Sequence, residues 1–104
     1  MIVALVKIAG LLCESTYFNY ILMVFLVFTR EGLDELILLN TTVALVIWCG
    51  SNVLTEAEYA GLSAKNISRF IYPLKSPADT NFSSALDTIS DHHPGKKIWI
   101  ENLS

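Results

Sequence analysis

The sequence predicts an all-α membrane protein: a two-helix transmembrane hairpin, then short amphipathic helices and an extended C-terminal tail. Three observations carry that expectation. Leu36 to Thr55 is a run of 20 residues without a charge, and Ser15 to Thr29 is an earlier uncharged run of 15. Only six residues separate them, and four of the six are charged. Of the 104 residues 53% are hydrophobic and 16% charged, against roughly 25% charged in an average soluble domain. A soluble chain this short would spend its core on two wholly apolar helices, whereas a bilayer covers them.

The first span has two readings. Met1 to Cys13 is apolar apart from Lys7, Glu14-Ser15-Thr16 interrupts, and Tyr17 to Thr29 resumes. Either the span covers residues 8–29 with Glu14 inside it, or Met1 to Cys13 lies along the membrane interface as a separate helix. The length needed for a tilted crossing favours the first. Residues 30–35 form the polar turn, suited to joining antiparallel helices. The second span, 36–54, extends about 28 Å at 1.5 Å per residue, close to the roughly 30 Å hydrocarbon core of a bilayer. The turn carries Arg30 alone, and the far side carries Lys7, Lys65, Arg69 and Lys75. That distribution sets both termini on the matrix or cytoplasmic side.

Residues 1–54 are thus read as the hairpin and 55–104 as an extramembrane tail. Thr55-Glu56-Ala57-Glu58 has the form of a capping box and opens a helix expected over about 56–72, with Tyr59, Leu62, Ile67, Phe70 and Ile71 on one side. Tyr72-Pro73 ends it. Phe82, Ala85, Leu86 and Ile89 repeat at i, i+3, i+4, i+7 and predict a second amphipathic helix over about 82–92, closed by Pro94-Gly95. Ile98-Trp99-Ile100 is a short apolar segment suited to docking. No charged leader with a cleavage signature opens the chain, so no removable secretory signal is expected.

Chemistry is sparse. Glu14, an ionisable residue within a span, is a candidate for proton or cation transfer by default, with Ser51 and Asn52 at similar depth. Its place seven positions into the span favours an acid that reaches the headgroups or pairs with a partner. Asn19 and Asn40, with the small residues Ala44, Gly50 and Ser51, are expected at helix–helix contacts, and Tyr59, Phe70 and Trp99 at partner contacts. Cys13 and Cys49 lack metal or redox spacing; they fall at similar depth, and two packed thiols are favoured over a disulfide. His92-His93 lies near Asp87 and Asp91, but adjacent helical histidines point about 100° apart, so no metal site is expected. No catalytic grouping or phosphate loop is visible, and no catalytic residue or cofactor is assigned. Asn-x-Ser/Thr triplets occur at Asn40, Asn66, Asn81 and Asn102.

Leu39-Asn40-Thr41-Thr42-Val43-Ala44-Leu45 resembles the Leu-Asn-acid-acid-x-Val-Ala pattern that opens the membrane helix of mitochondrial ATP synthase subunit b. Thr41 and Thr42 stand where the family has its acidic pair. The long charged stalk helix of that family has no counterpart, its place being taken by a tail of about 50 residues. The resemblance implies a membrane helix and a place among membrane subunits.

These features lead to the expectation of a non-catalytic structural or accessory subunit of a multi-subunit membrane complex. The favoured location is the mitochondrial inner membrane, in the ATP synthase membrane region or the respiratory chain. Its partners would be other membrane subunits and the lipid bilayer, with structural lipids. Nucleic acid is excluded, because the net charge is -3 and Lys96-Lys97 is the one basic pair. The alternative is a self-associating channel-forming or membrane-remodelling protein of the secretory pathway or a virus.

Overall fold

Met23-Val24-Phe25-Leu26-Val27 is a run of β-branched, aromatic and aliphatic side chains, and in the computed structural model it forms a strand rather than a helix. The structure describes residues 2–4, 23–39, 45–62 and 66–103. In chain order the elements are β1 (Ile2–Ala4), β2 (Met23–Val27), α1 (Arg30–Leu39), β3 (Val46–Cys49), α2 (Glu56–Gly61), β4 (Ile67–Arg69), α3 (Phe82–His92) and β5 (Lys97–Ile100). The five strands make one sheet in the order β1-β5-β2-β3-β4. Every pairing is parallel, with Val24 opposite Val46 and Ile98, Ile47 opposite Ile67, and Ile2 opposite Ile98.

The expected all-α transmembrane hairpin is therefore corrected to an α/β fold. A strand in a parallel sheet is buried on both faces, so it reads as a continuous apolar run and mimics a piece of membrane helix. Within the expected second span, 36–54, the chain leaves α1 at Leu39, forms β3 and turns at Gly50 to Leu54. Within the expected first span, 8–29, Met23–Val27 is β2, and residues 5–22 lie outside the described ones, as do Glu14 and Asn19. The supposed polar turn, 30–35, is the first half of α1, with Leu33 and Leu36 buried beneath its charged face. Among the described residues no helix is long and apolar enough to cross a membrane. The integral-membrane assignment, the mitochondrial inner-membrane location and the placement of the termini all rested on those spans, and they are withdrawn with them.

Alternation along the strands divides the core into two layers. Phe25 and Val27 of β2 and Ile47 and Cys49 of β3 face Leu33 and Leu36 of α1, together with Val53, Leu54 and Ile67. Val24 and Leu26, Trp48, Ile98 and Ile100 face the opposite way, onto Ala85 and Ile89 of α3, with Phe28, Phe70 and Leu74. From β2 the chain adds β3 and then β4 in one direction, and then returns to place β5 on the other side of β2. Parallel crossovers are right-handed, so reversing the direction of strand addition moves the connecting helix to the opposite face, where α3 lies. Short α2 buries none of its own residues; Leu62, just after it, packs on the α1 layer.

Local signals fix the connections. Thr55 and Glu58 form a reciprocal capping box at the start of α2, Thr55 Oγ1 accepting from Glu58 N at 3.0 Å and Glu58 Oε1 accepting from Thr55 N at 2.9 Å. Pro94 and Gly95 make the turn from α3 to β5. Gly95 has φ +78°, and Lys96 N donates to His93 O at 3.2 Å, the backbone that a proline followed by a left-handed residue supplies in a type II turn.

Candidate functional site

Strand order reverses at β2, whose two neighbours are reached in opposite directions of winding. In doubly wound sheets ligands bind in the crevice beyond the carboxyl ends of the strands at such a reversal. Here the crevice is bounded by Phe28 and Thr29 after β2, the first turn of α1, and Glu101 after β5.

Glu101 fills it. Its N–H donates to Leu26 O at 3.0 Å, extending the β5–β2 ladder by one residue and placing the side chain over the start of α1. Glu101 Oε1 accepts from Phe28 N at 2.8 Å and from Thr29 N at 3.1 Å, and Oε2 accepts from Thr29 Oγ1 at 2.6 Å. The Thr29 hydroxyl in turn accepts from Gly32 N at 3.0 Å, which makes Thr29 the N-cap of α1. A helix N-terminus presents unsatisfied N–H groups and a partial positive charge, and the carboxylate answers both. The first turn of α1 comes so close that a Cβ on Gly32 would lie 2.6 Å from Glu101 Oε2.

Asn52 locks the adjoining loops. Its Nδ2 donates to Phe28 O at 3.1 Å, and its Oδ1 accepts from Leu74 N at 2.8 Å. Ser51 N donates to Tyr72 O at 2.9 Å. One amide side chain thus ties the ends of β2 and β3 to the segment that follows β4. Arg30, the first residue of α1, is engaged by two other carboxylates, Asp34 at 3.0 Å and Glu58 at 2.9 Å. Glu58 and then Asp34 hold the Arg30 guanidinium above its usual range. The Thr55 backbone N–H and then Arg30 lower the Glu58 carboxyl.

This arrangement is a closed cap. The Glu101 carboxylate has three donors on two oxygens and is bonded to no nucleophile or second acid. Cys49, at the end of β3, is fully buried, and burial pushes its thiol up to about 11 against the weaker pull of Arg69 and Arg30; a thiol in that state is a packing group and not a nucleophile. No protein-family model, curated protein or solved structure matches the chain. Those comparisons do not bear on the short likeness to subunit b; Leu39 of that motif ends α1, Leu45 immediately precedes β3, and residues 40–44 lie outside the described ones.

The residues expected to carry contacts are scattered by the fold. Gly50 and Ser51 lie in the turn after β3, beside Asn52. Tyr59 is exposed on α2; Phe70 is buried against Trp48, with ring centroids 5.1 Å apart; Trp99 is half-buried on β5. Asn40, Ala44, Asn19 and Glu14 lie outside the described residues. Among the described residues no group of three His, Cys, Asp or Glu could hold a metal ion.

Sequence reasoning missed Thr29, Gly32 and Glu101. The available signal was an apolar strand-like run ending in Thr-Arg-Glu-Gly, the pattern of a strand turning into a capped helix. Glu101 itself offers none, since its partners are 72 and 73 positions away.

Proposed function

We propose that this chain is a non-catalytic subunit that holds another polypeptide within a hetero-oligomeric assembly. The observation that carries this reading is the Glu101 carboxylate in the crevice at β2. The place where this architecture keeps ligands and reacting groups is occupied by the chain's own side chain, with its donors used up. A surface for a protein partner is better supplied. Ile71, two residues beyond β4, is 90% exposed, and Leu103, three beyond β5, is also exposed, so both follow the carboxyl ends of parallel strands. The role needs no cofactor or metal, and a net charge of -3 gives nucleic acid no footprint.

Native electrophoresis of the chain from its own source, with identification of what migrates with it, tests this. One or more different polypeptides are expected in stoichiometric amount, and Ile71→Asp is expected to release them while leaving the circular dichroism unchanged. Migration as a monomer or as copies of this chain alone would refute the reading.

A further inference from the structure

Trp48 is the central aromatic residue of the α3 layer. It is only 7% exposed, and its indole Nε1 donates to His93 Nε2 at 3.2 Å. An indole N–H can only donate, so His93 accepts through an unprotonated Nε2 and carries its hydrogen on Nδ1. A proton on Nε2 would set N–H against N–H, leaving a buried indole donor without its acceptor. The geometry admits one protonation state of His93 and rejects the other.

His93 sits at a mechanical joint. It is the C-cap of α3: its backbone N–H donates to Ile89 O at 2.9 Å, and its carbonyl accepts from Lys96 N across the Pro94-Gly95 turn. The side-chain bond to Trp48 therefore ties the end of α3, and the turn into β5, down onto β3.

We propose that the Trp48–His93 hydrogen bond is a proton-operated latch, closed when His93 is neutral and opened by acid, that frees the last turn of α3 and the turn leading to β5. The surroundings agree. Burial, then His92, then Lys96 lower the proton affinity of His93 below the usual 6.5. On α3, Asp87 and Asp91 are exposed, and Lys96 and Lys97 follow in the turn and β5. On the sheet side, β3 brings only the uncharged Trp48, and the segment after β4 brings Phe70 with the Tyr72 phenol stacked behind it, centroids 5.0 Å apart. His92 is not an equivalent switch. Its Nδ1 pairs with Thr88 O at 2.9 Å, and its ring meets the indole at a centroid distance of 5.4 Å without a hydrogen bond to it.

The test begins with the unmodified chain. Nitrogen-15 NMR of the imidazoles is expected to show His93 as the Nδ1–H tautomer at pH 7.5, and the Trp48 indole N–H signal should shift with a midpoint below 6.5. Amide exchange at Ile89 to Lys96 is expected to speed up at least tenfold across the same midpoint. A Trp99→Phe chain leaves Trp48 as its one indole, and its emission should report the same step. His93→Gln, whose amide oxygen accepts at any pH, should abolish the step, and His92→Gln should retain it. An Nε2–H tautomer for His93, a midpoint at or above 6.5, or a step unaltered by His93→Gln would overturn the proposal.

Discussion

The carboxylate of Glu101 occupies the space that a side chain on Gly32 would need, although the two residues lie 69 positions apart in the chain. A Cβ at Gly32 would meet Glu101 Oε2, Cδ and Oε1 at 2.6, 2.7 and 2.8 Å. The glycine and the acid are therefore energetically coupled, and mutating one changes what the other is worth.

Gly32→Ala should destabilise the protein by roughly 1.5 to 3 kcal/mol, because the displaced carboxylate leaves Phe28 N and Thr29 N without their charged acceptor. In a Glu101→Ala background the same change should stabilise by about 0.5 to 1 kcal/mol, since alanine is the better helix former and nothing remains to displace. Urea denaturation of the four chains of this cycle measures both values. Equal effects in the two backgrounds would show that the contact does not exist.

Gly50 should be equally intolerant for a different reason. A Cβ there would fall 2.5 Å from Leu74 N and 2.6 Å from Asn52 Oδ1, the two atoms of one hydrogen bond. Backbone cannot swing aside as a glutamate can, so Gly50→Ala is expected to cost about 1 to 3 kcal/mol, the usual range for overpacking. Asn52→Ala should cost a similar 1 to 3 kcal/mol by leaving Phe28 O and Leu74 N unpaired. Thermal denaturation of each variant reads the loss.

The Cys49 thiol gives a prediction at alkaline pH. Folding raises its ionisation from 9.0 to about 11, so the folded state favours the protonated thiol. That contribution is fully present below pH 9 and is lost as pH rises toward 11. With Cys13 replaced by serine, Cys49 should ignore an aromatic disulfide reagent at pH 8 until denaturant is added, and Cys49→Ala should flatten the stability loss between pH 9 and 11.

At acid pH the sign reverses. His93 binds its proton less readily when folded than its usual 6.5, so the unfolded chain takes up the proton first. Stability is fully present above about 6.5 and falls as pH drops below it. Urea midpoints at pH 7.5 and 5.0 should differ less for His93→Gln than for the parent chain.

What the sequence made legible was local. The Thr55–Glu58 box and the Pro94-Gly95 turn depend on neighbouring residues, and both motifs are present in the structure. The Phe82, Ala85, Leu86, Ile89 repeat lies in α3, with Ala85 and Ile89 fully buried. Within the apolar runs, Val24 to Val27 and Ile47 to Cys49 are buried between protein layers and not in lipid, two layers of protein being as uncharged as a bilayer. Val24, Val27, Val46 and Ile47 were the residues whose branching argued for strands. Arg30 to Glu35 looked like a turn because four charges hid Leu33 and Leu36, which sit three apart on the buried side of α1. Of the candidate site, the capped start of α1 left a local signal in Thr29-Arg30-Glu31-Gly32, whereas Glu101 was illegible because it meets Thr29 only through sheet order.

That order also dictates when the molecule can assemble. Among the described strands β5, the last in chain order, is wedged between β1 and β2, so a chain that has not yet reached residue 97 lacks the strand that joins Ile2–Ala4 to Met23–Val27. Until Ile100 has cleared the tunnel, one apolar flank of β2 stays bare. Closure of this sheet therefore waits for residues 97–100, and a stall or truncation before residue 97 would leave a sticky, unclosed intermediate.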